Sequence, residues 1–306
     1  MIHDLPGTTT SEVAKALLRL RDEGGAVALG RVLTLVIDVA EDGLEEAVSV
    51  ANAASREHPC RVIVLARGDD GDRSRLDAQI RVGGDAGASE VVVLRASGEM
   101  LEHADTLVTP LLLPDAPIVA WWPGEHPAAP AEDPLGAMAQ RRITDSVGAA
   151  DPLRSLRELQ QHHAAGDTDI AWTRLTVWRA LLAAALDQPP YEPVTAARVT
   201  GHETHPSVVL LAAWLAHGLD CPVELVRVPG VQGVVEVVLE RASGPVVVDR
   251  PDGRVATLQQ PGQPEQRVGM PIRTLSECLA EELRRLDPDE VYGEVLVDGL
   301  ERIVTR

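Results

Sequence analysis

Val32-Leu33-Thr34-Leu35-Val36-Ile37-Asp38-Val39 is apolar at nearly every position, and that run decides how the first half of the chain folds. A strand with one wet face alternates polar and apolar residues, whereas a strand covered on both faces does not. Unbroken apolar strands belong to parallel sheets with helices above and below. Downstream, Glu45 to Glu57 reads as a helix and Cys60 to Leu65 as a second buried strand. Strand, helix and strand with short connections predict a right-handed parallel crossover. Upstream, Thr8-Thr9-Thr10 offers caps for a helix over Ser11 to Leu20 that stops near Gly24-Gly25. Leu76 to Val82 and Glu90 to Leu94 read as strands, and Glu99 to about Val108 as a helix capped by Ser97. Pro117 to Trp121 and Arg141 to Asp145 complete the strands. The first domain is expected over residues 1–148 as a mixed sheet with helices on its faces.

Bridging helices are expected over 149–190. Asp151-Pro152 supplies an N-cap and a first helical position for a helix reaching about Ala164. From Asp169, the residues Ala171, Leu175, Trp178, Leu182 and Ala185 form the apolar stripe of an amphipathic helix, which Gln188-Pro189-Pro190 stops. The second domain, 191–306, opens with a strand over Val194 to Val199 and a helix from Pro206 to His217 closed by Gly218. Strands at Val223 to Val228, Val234 to Arg241, Val246 to Asp249 and Val255 to Leu258 follow, the last two joined through a Pro251-Asp252-Gly253 turn. Thr274-Leu275-Ser276-Glu277 has the form of a capping box, and a final helix starts from Pro288. The fold class is α/β, with two domains that each hold a mixed sheet flanked by helices. Aligned on Cys60 and Cys221, the halves suggest a duplicated strand-helix-strand-strand-strand-helix unit; coincidence of generic element lengths is the competing explanation.

The chain has 306 residues, 45% of them hydrophobic, but no Phe and only two Tyr, so Val, Leu and Ala must build the interior. Lys15 is the single lysine. Schiff-base, phosphate-loop and Ser-x-x-Lys chemistry elsewhere in the chain is thereby excluded. A net charge of -19 opposes nucleic acid and anionic lipid as partners. With no apolar run of membrane-spanning length and no basic-then-apolar leader at Met1-Ile2-His3-Asp4, a soluble cytoplasmic protein is expected. Cys60, Cys221 and Cys278 are few and far apart, as buried free thiols would be.

Against this aromatic poverty, Trp121-Trp122-Pro123-Gly124 places two indoles side by side at a strand exit. Adjacent strand residues face opposite sides, so one ring is expected to anchor the fold and the other to meet a partner; the competing reading is two Trp packed under a Pro-rich loop. Trp121, Trp122, Pro123 and Gly124 are the first interface candidates, with Arg174 and Arg179 as polar contacts; for Trp172 and Trp178 the expected role is filling the domain junction. Arg141-Arg142-Ile143-Thr144-Asp145-Ser146 is the best anion candidate, through Arg141, Arg142 and Ser146, against a rival reading of arginines paired with acidic neighbours. His202-Glu203-Thr204-His205 looks metal-like, but a helix start with capping is the better reading. No dinucleotide, Walker A, nucleophile-elbow or zincin motif occurs, and no metal or cofactor is expected.

Trp121-Trp122-Pro123-Gly124, Arg141 to Ser146, Asp169-Ile170-Ala171-Trp172-Thr173-Arg174-Leu175 with Trp178-Arg179, Pro206 to Leu215 and Asp287-Pro288-Asp289-Glu290-Val291-Tyr292 resemble, in order and spacing, the glucose-6-phosphate dehydrogenase assembly protein family, OpcA. The resemblance implies a non-catalytic partner of glucose-6-phosphate dehydrogenase that promotes its assembly or allosteric activation, supporting NADPH production by the oxidative pentose phosphate pathway. Two other classes compete: a sugar-phosphate enzyme such as a phosphogluconolactonase, and a metabolite-sensing module at the Arg141 to Ser146 strand.

Overall fold

Strands that are apolar on both faces cannot leave either face in water, and those of the first half stack accordingly into one layer with helices over it. The computed structural model describes residues 1–23, 30–68, 74–82 and 90–303; the Gly24-Gly25 helix stop lies outside them. The strands of this half are β1 (Ile2–Leu5), β2 (Leu33–Ala40), β3 (Cys60–Arg67), β4 (Arg75–Arg81), β5 (Glu90–Ser97), β6 (Ile118–Trp122) and β7 (Arg141–Thr144). They lie in the order β1-β4-β5-β3-β2-β6-β7. From β5 to β7 all neighbours are parallel, and β4 and β1 add an antiparallel edge. The chain leaves β2 in both directions, through β3 and β5 on one side and through β6 and β7 on the other. That is a doubly wound sheet with its topological switch between β2 and β6.

Helices α1 (Thr10–Glu23), α3 (Ala104–Val108) and α4 (Pro134–Met138) roof one face, where Val13, Leu107 and Leu135 share a buried cluster with Val36, Ile63 and Trp122. Helix α2 (Leu44–Ala54) packs on β2 and β3 from outside that cluster, and the helix Leu275–Arg284 lies beside it. The expected threonine cap is real: Thr9 Oγ1 accepts from the Glu12 amide at 3.3 Å while the Glu12 carboxylate accepts from the Thr9 amide at 3.0 Å, a capping box.

The chain divides into two compact units, residues 1–148 with 275–288 and residues 149–274 with 289–306. This departs from the three-part division expected. The helices over 149–190 belong to the second unit, and the capping-box helix Leu275–Arg284 belongs to the first, where Arg284 pairs with Glu57 at 2.8 Å. A capping box fixes where a helix starts but not which sheet receives its apolar face.

The second unit contains α5 (Pro152–Gln161), β8 (Asp167–Asp169), α6 (Ile170–Thr173), α7 (Thr176–Leu186), β9 (Ala196–His202), α8 (Pro206–Leu219), β10 (Val223–Val228), β11 (Val234–Glu240), β12 (Val246–Asp249), β13 (Val255–Gln259) and β14 (Gln266–Gly269). Its six-stranded sheet runs β10-β9-β11-β12-β13-β14, and only the β9–β10 pair is parallel. Both units therefore share a strand-helix-strand crossover, β2-α2-β3 and β9-α8-β10. There the likeness stops: β3 continues to a parallel β5, whereas β9 has the antiparallel β11 as its other neighbour. The expected six-element duplication is not present. Strands β1 and β14 were absent from the sequence reading, because four-residue edge strands with exposed side chains carry almost no apolar signal. The stripe from Ala171 to Ala185 is buried throughout, but its helix is split into α6 and α7.

Candidate functional site

Ligands of doubly wound folds sit outside the carboxyl ends of the strands at the switch point. In the first unit those ends carry Asp38 on β2 and Trp122-Pro123-Gly124 leaving β6. Asp38 is buried and takes both arms of Arg67, Nε to Oδ1 at 2.6 Å and Nη2 to Oδ2 at 2.5 Å. Nearby Asp133 caps α4 by accepting from the Leu135 and Gly136 amides at 2.9 and 3.4 Å. Burial pushes the Asp133 carboxyl above the usual carboxylate range, and the Asp38 charge adds to the shift. The turn from β2 into α2 holds Glu41 and Asp42, with Glu45 and Glu46 in the first turn of the helix. A dinucleotide fold places glycines and a pyrophosphate there, at the positive end of the helix. Glu41 pairs with Arg95 at 2.8 Å and Glu45 with Arg81, which leaves Asp42 and Glu46 without a basic partner among the described residues and set to repel a phosphate.

The strand exit is closed by backbone packing. A Cβ on Gly148 would stand 2.6 Å from the Pro123 carbonyl oxygen, and one on Gly136 would collide with the Pro130 carbonyl. Both Trp121 (0% exposed) and Trp122 (2%) lie inside. This corrects the expectation that one ring faces a partner. Successive residues do point to opposite faces of β6, but both faces of this sheet are roofed, so pointing away from one core means entering another. Neither indole N–H has a hydrogen-bond partner among the described residues.

Arg141 and Arg142, adjacent on β7, also point to opposite faces. Arg141 donates to Glu282 Oε2 at 2.6 Å and to the Asp287 carbonyl at 3.0 Å, so its charge is neutralised within the unit. Arg142 donates to the Ala139 carbonyl at 3.0 Å, and Ser146 is buried in the turn beyond. The strand does not bring Arg141, Arg142 and Ser146 into one anion cradle; for Arg141 the rival reading, pairing with an acidic neighbour, describes the observed contact. Arg142 and Ser146 keep further interactions of their own.

In the second unit the aromatic residues are tied to polar groups. Trp172 donates its indole N–H to Asp289 Oδ2 at 2.8 Å, the Arg179 guanidinium lies 3.6 Å from its ring centroid, and Tyr292 packs against it at 5.9 Å. His163 also meets Tyr292 edge-on at 5.7 Å, and Asp289 Oδ1 caps the helix Glu290–Glu294 through the Tyr292 amide at 2.9 Å. Arg174 and Arg273 latch reciprocally, Arg174 to the Arg273 carbonyl at 3.1 Å and Arg273 to the Thr173 carbonyl at 2.8 Å. Arg174 and Arg179 thus have internal duties, although each is only half-buried. Trp178 is buried under Arg250, 5.1 Å from the ring centroid. His205 takes the capping role expected of it, Nδ1 accepting from the Ser207 amide at 3.2 Å. Burial, with the charges of Arg174 and His202, pushes its pKa down to about 4. Among the described residues no group of three His, Cys, Asp or Glu converges as metal ligands, and no helix is long and apolar enough to cross a membrane.

Residues 51–161 match the family model described as the glucose-6-phosphate dehydrogenase subunit N-terminal domain, and residues 165–296 match its C-terminal counterpart. The chain belongs to the OpcA family. Relatives named OpcA include one from Synechococcus elongatus, 30% identical over 150 residues covering 46% of this chain and 34% of that one. Another, from Nostoc punctiforme, is 25% identical over 186 residues, covering 56% of this chain and 40% of that one. The matched part spans only about a third to two fifths of these relatives. Among solved structures, a probable oxidoreductase aligns over 88% of this chain and 95% of its own with a TM-score of 0.45 at 10% identity, too distant to bear on function.

The stretches that carry the likeness to OpcA are largely those just described as internal scaffolding. Asp169 to Leu175 and Asp287 to Tyr292, far apart in the chain, supply the two sides of the Trp172–Asp289 bond. Sequence reasoning missed Glu282, Asp289 and Tyr292 as partners, because their significance is a contact across more than a hundred residues. In the sequence, Pro288 signalled only the start of a final helix.

Proposed function

We propose that this protein is a non-catalytic, cytoplasmic partner of glucose-6-phosphate dehydrogenase that favours its active assembly and so supports NADPH production in the oxidative pentose phosphate pathway. The observation that carries the reading is the match of both halves to domains of a glucose-6-phosphate dehydrogenase subunit, backed by relatives whose name ties them to the OxPP cycle. The acidic β2–α2 turn adds support, since Asp42 and Glu46, without a basic partner among the described residues, disfavour the phosphate-bearing ligands that this architecture usually holds. A partner of this kind acts by differential binding: it raises activity only if it contacts the active state more favourably than the inactive one.

With Trp121, Trp122, Trp172 and Trp178 inside and Trp214 half-buried, the most exposed aromatic is Tyr191, 79% exposed. Its loop is pinned on both sides, the Arg241 guanidinium donating to the Pro190 carbonyl at 3.3 Å and the Glu192 carboxylate accepting from the Ser243 amide at 2.9 Å. A large side chain on a fixed backbone loses little entropy on binding, which suits an interface anchor.

Mixing the purified protein with the dehydrogenase of its own organism, and following mass and substrate response together, tests the proposal. A stable complex with an altered glucose-6-phosphate response is expected, and the protein alone should leave phosphogluconolactone at its spontaneous rate of hydrolysis. Absence of any complex at micromolar concentration, or lactone turnover by the protein alone, would overturn the reading.

A further inference from the structure

We propose that the second unit contains a binding site for a small organic anion with an apolar body, in the pocket between α5, α8 and β10. Helical spacing brings Leu153, Leu156 and Arg157 to one face of α5, and strand alternation puts Leu225 and Arg227 on the same side of β10. Val209 of α8 closes the floor. The cavity measures about 220 Å³.

Two features set this pocket apart. Its floor is aliphatic, so an all-polar ion gains nothing from the space. Its margin carries two guanidinium groups, Arg157 and Arg227, and among the described residues neither has a carboxylate or hydrogen-bond partner. That is unexpected where 47 acidic residues face 28 basic ones. Neighbouring arginines do find carboxylates: Arg154 pairs with Glu158 at 2.9 Å and Arg302 with Asp220 at 3.5 Å. Like charges gathered at one mouth repel until an anion joins them, and guanidinium forks match carboxylate and phosphate oxygens two at a time.

Size narrows the class. An apolar cavity of roughly 150 Å³ holds a benzene molecule, so this one accommodates an aromatic ring or a short acyl chain. The ligand is an aryl or short-acyl phosphate monoester or carboxylate, its apolar part on Leu156, Val209 and Leu225 and its head between the two arginines.

Calorimetric titration of the full chain with phenyl phosphate tests this, with inorganic phosphate as the charge-only probe and benzyl alcohol as the apolar-only probe. Hexanoate run in parallel tells a carboxylate preference from a phosphate one. One-to-one binding of phenyl phosphate or hexanoate is expected, with each single-feature probe about tenfold weaker or more. Arg157→Gln and Arg227→Gln should each weaken it by about tenfold, the range of a lost charge-assisted hydrogen bond. Both side chains are exposed, so both variants should keep the parent melting temperature. No binding of either amphiphile at millimolar concentration, equal binding of inorganic phosphate, or unchanged affinity in both folded Gln variants would overturn the proposal. Because this readout needs no dehydrogenase, its failure is distinct from failure of the assembly-partner reading.

Discussion

Trp121 and Trp122 in the first unit are as buried as Trp172 and Trp178 in the second, yet the two pairs are held differently. The first pair fills volume on either side of β6, and both indole N–H groups stay without a hydrogen-bond partner among the described residues. In the second unit, Trp172 is a node: a carboxylate, a guanidinium and a tyrosine ring all meet it. An aromatic side chain can thus be retained for its bulk or for its polar edge and π-face, and burial alone does not separate the two. Substitution does.

The largest effect is expected from removing bulk. Trp122→Ala should cost about 3–5 kcal/mol, the range for truncating a buried Trp in a packed core, read as a fall in the denaturation midpoint. Loss of partner binding without loss of stability would instead restore the ring to an interface, contrary to its burial under α1, α3 and α4.

Acid should strain the second unit through His205. Its folded pKa, about 4, lies below the unfolded value near 6.5, so the native state keeps the ring neutral while the unfolded chain takes up a proton. Stability from this group is present above about pH 6.5, falls as pH drops from there toward 4, and levels off below. The total is on the order of 3 kcal/mol at most. Urea denaturation of His205→Asn between pH 7 and 4 should show a flatter profile than the parent, with Asn keeping the capping oxygen. Parallel profiles would place the acid sensitivity elsewhere.

A subtler substitution tests the polar half of the comparison. Trp172→Phe loses the bond to the Asp289 carboxylate and leaves that oxygen short of a partner, at a cost of about 1.5–3 kcal/mol. Trp122→Phe gives up some volume but also removes an unsatisfied N–H, so roughly 1 kcal/mol is expected. Equal costs in chemical denaturation would show that the Asp289 bond contributes nothing net and would collapse the distinction.

Much of the architecture was readable in the residues because period and punctuation are local signals. The apolar run at 32–39 marked a doubly covered strand, β10 and β12 fell where expected, and Asp151 and His205 cap the helices they precede. What escaped depended on distance. Whether Trp122 faces water was undecidable without knowing that α1 and α4 roof its side of the sheet; which unit receives the helix Leu275–Arg284 turned on its packing beside α2, more than two hundred residues earlier. The partnership of Arg141 with Glu282 likewise spans 141 positions. The helix terminus expected at Gly218 instead ends at Asp220, which itself takes the left-handed conformation (φ 48°) that glycine adopts more readily.

The smallest effect on stability, and the sharpest on function, is expected at Tyr191. An exposed ring contributes little to folding, so Tyr191→Ala should change the unfolding free energy by no more than about 0.5 kcal/mol. In the assembly-partner reading the same change removes the one large aromatic displayed on a pinned loop, and affinity for the dehydrogenase should fall several-fold or more. Trp122→Ala makes the opposite prediction: a large loss of stability, with affinity of the remaining folded fraction unchanged. Measuring both variants by denaturation and by complex formation therefore separates an aromatic that builds the protein from one that meets its partner. If Tyr191→Ala binds as well as the parent, the contact surface lies away from both aromatic groups, and the exposed loop at Pro189 to Pro193 has no part in it.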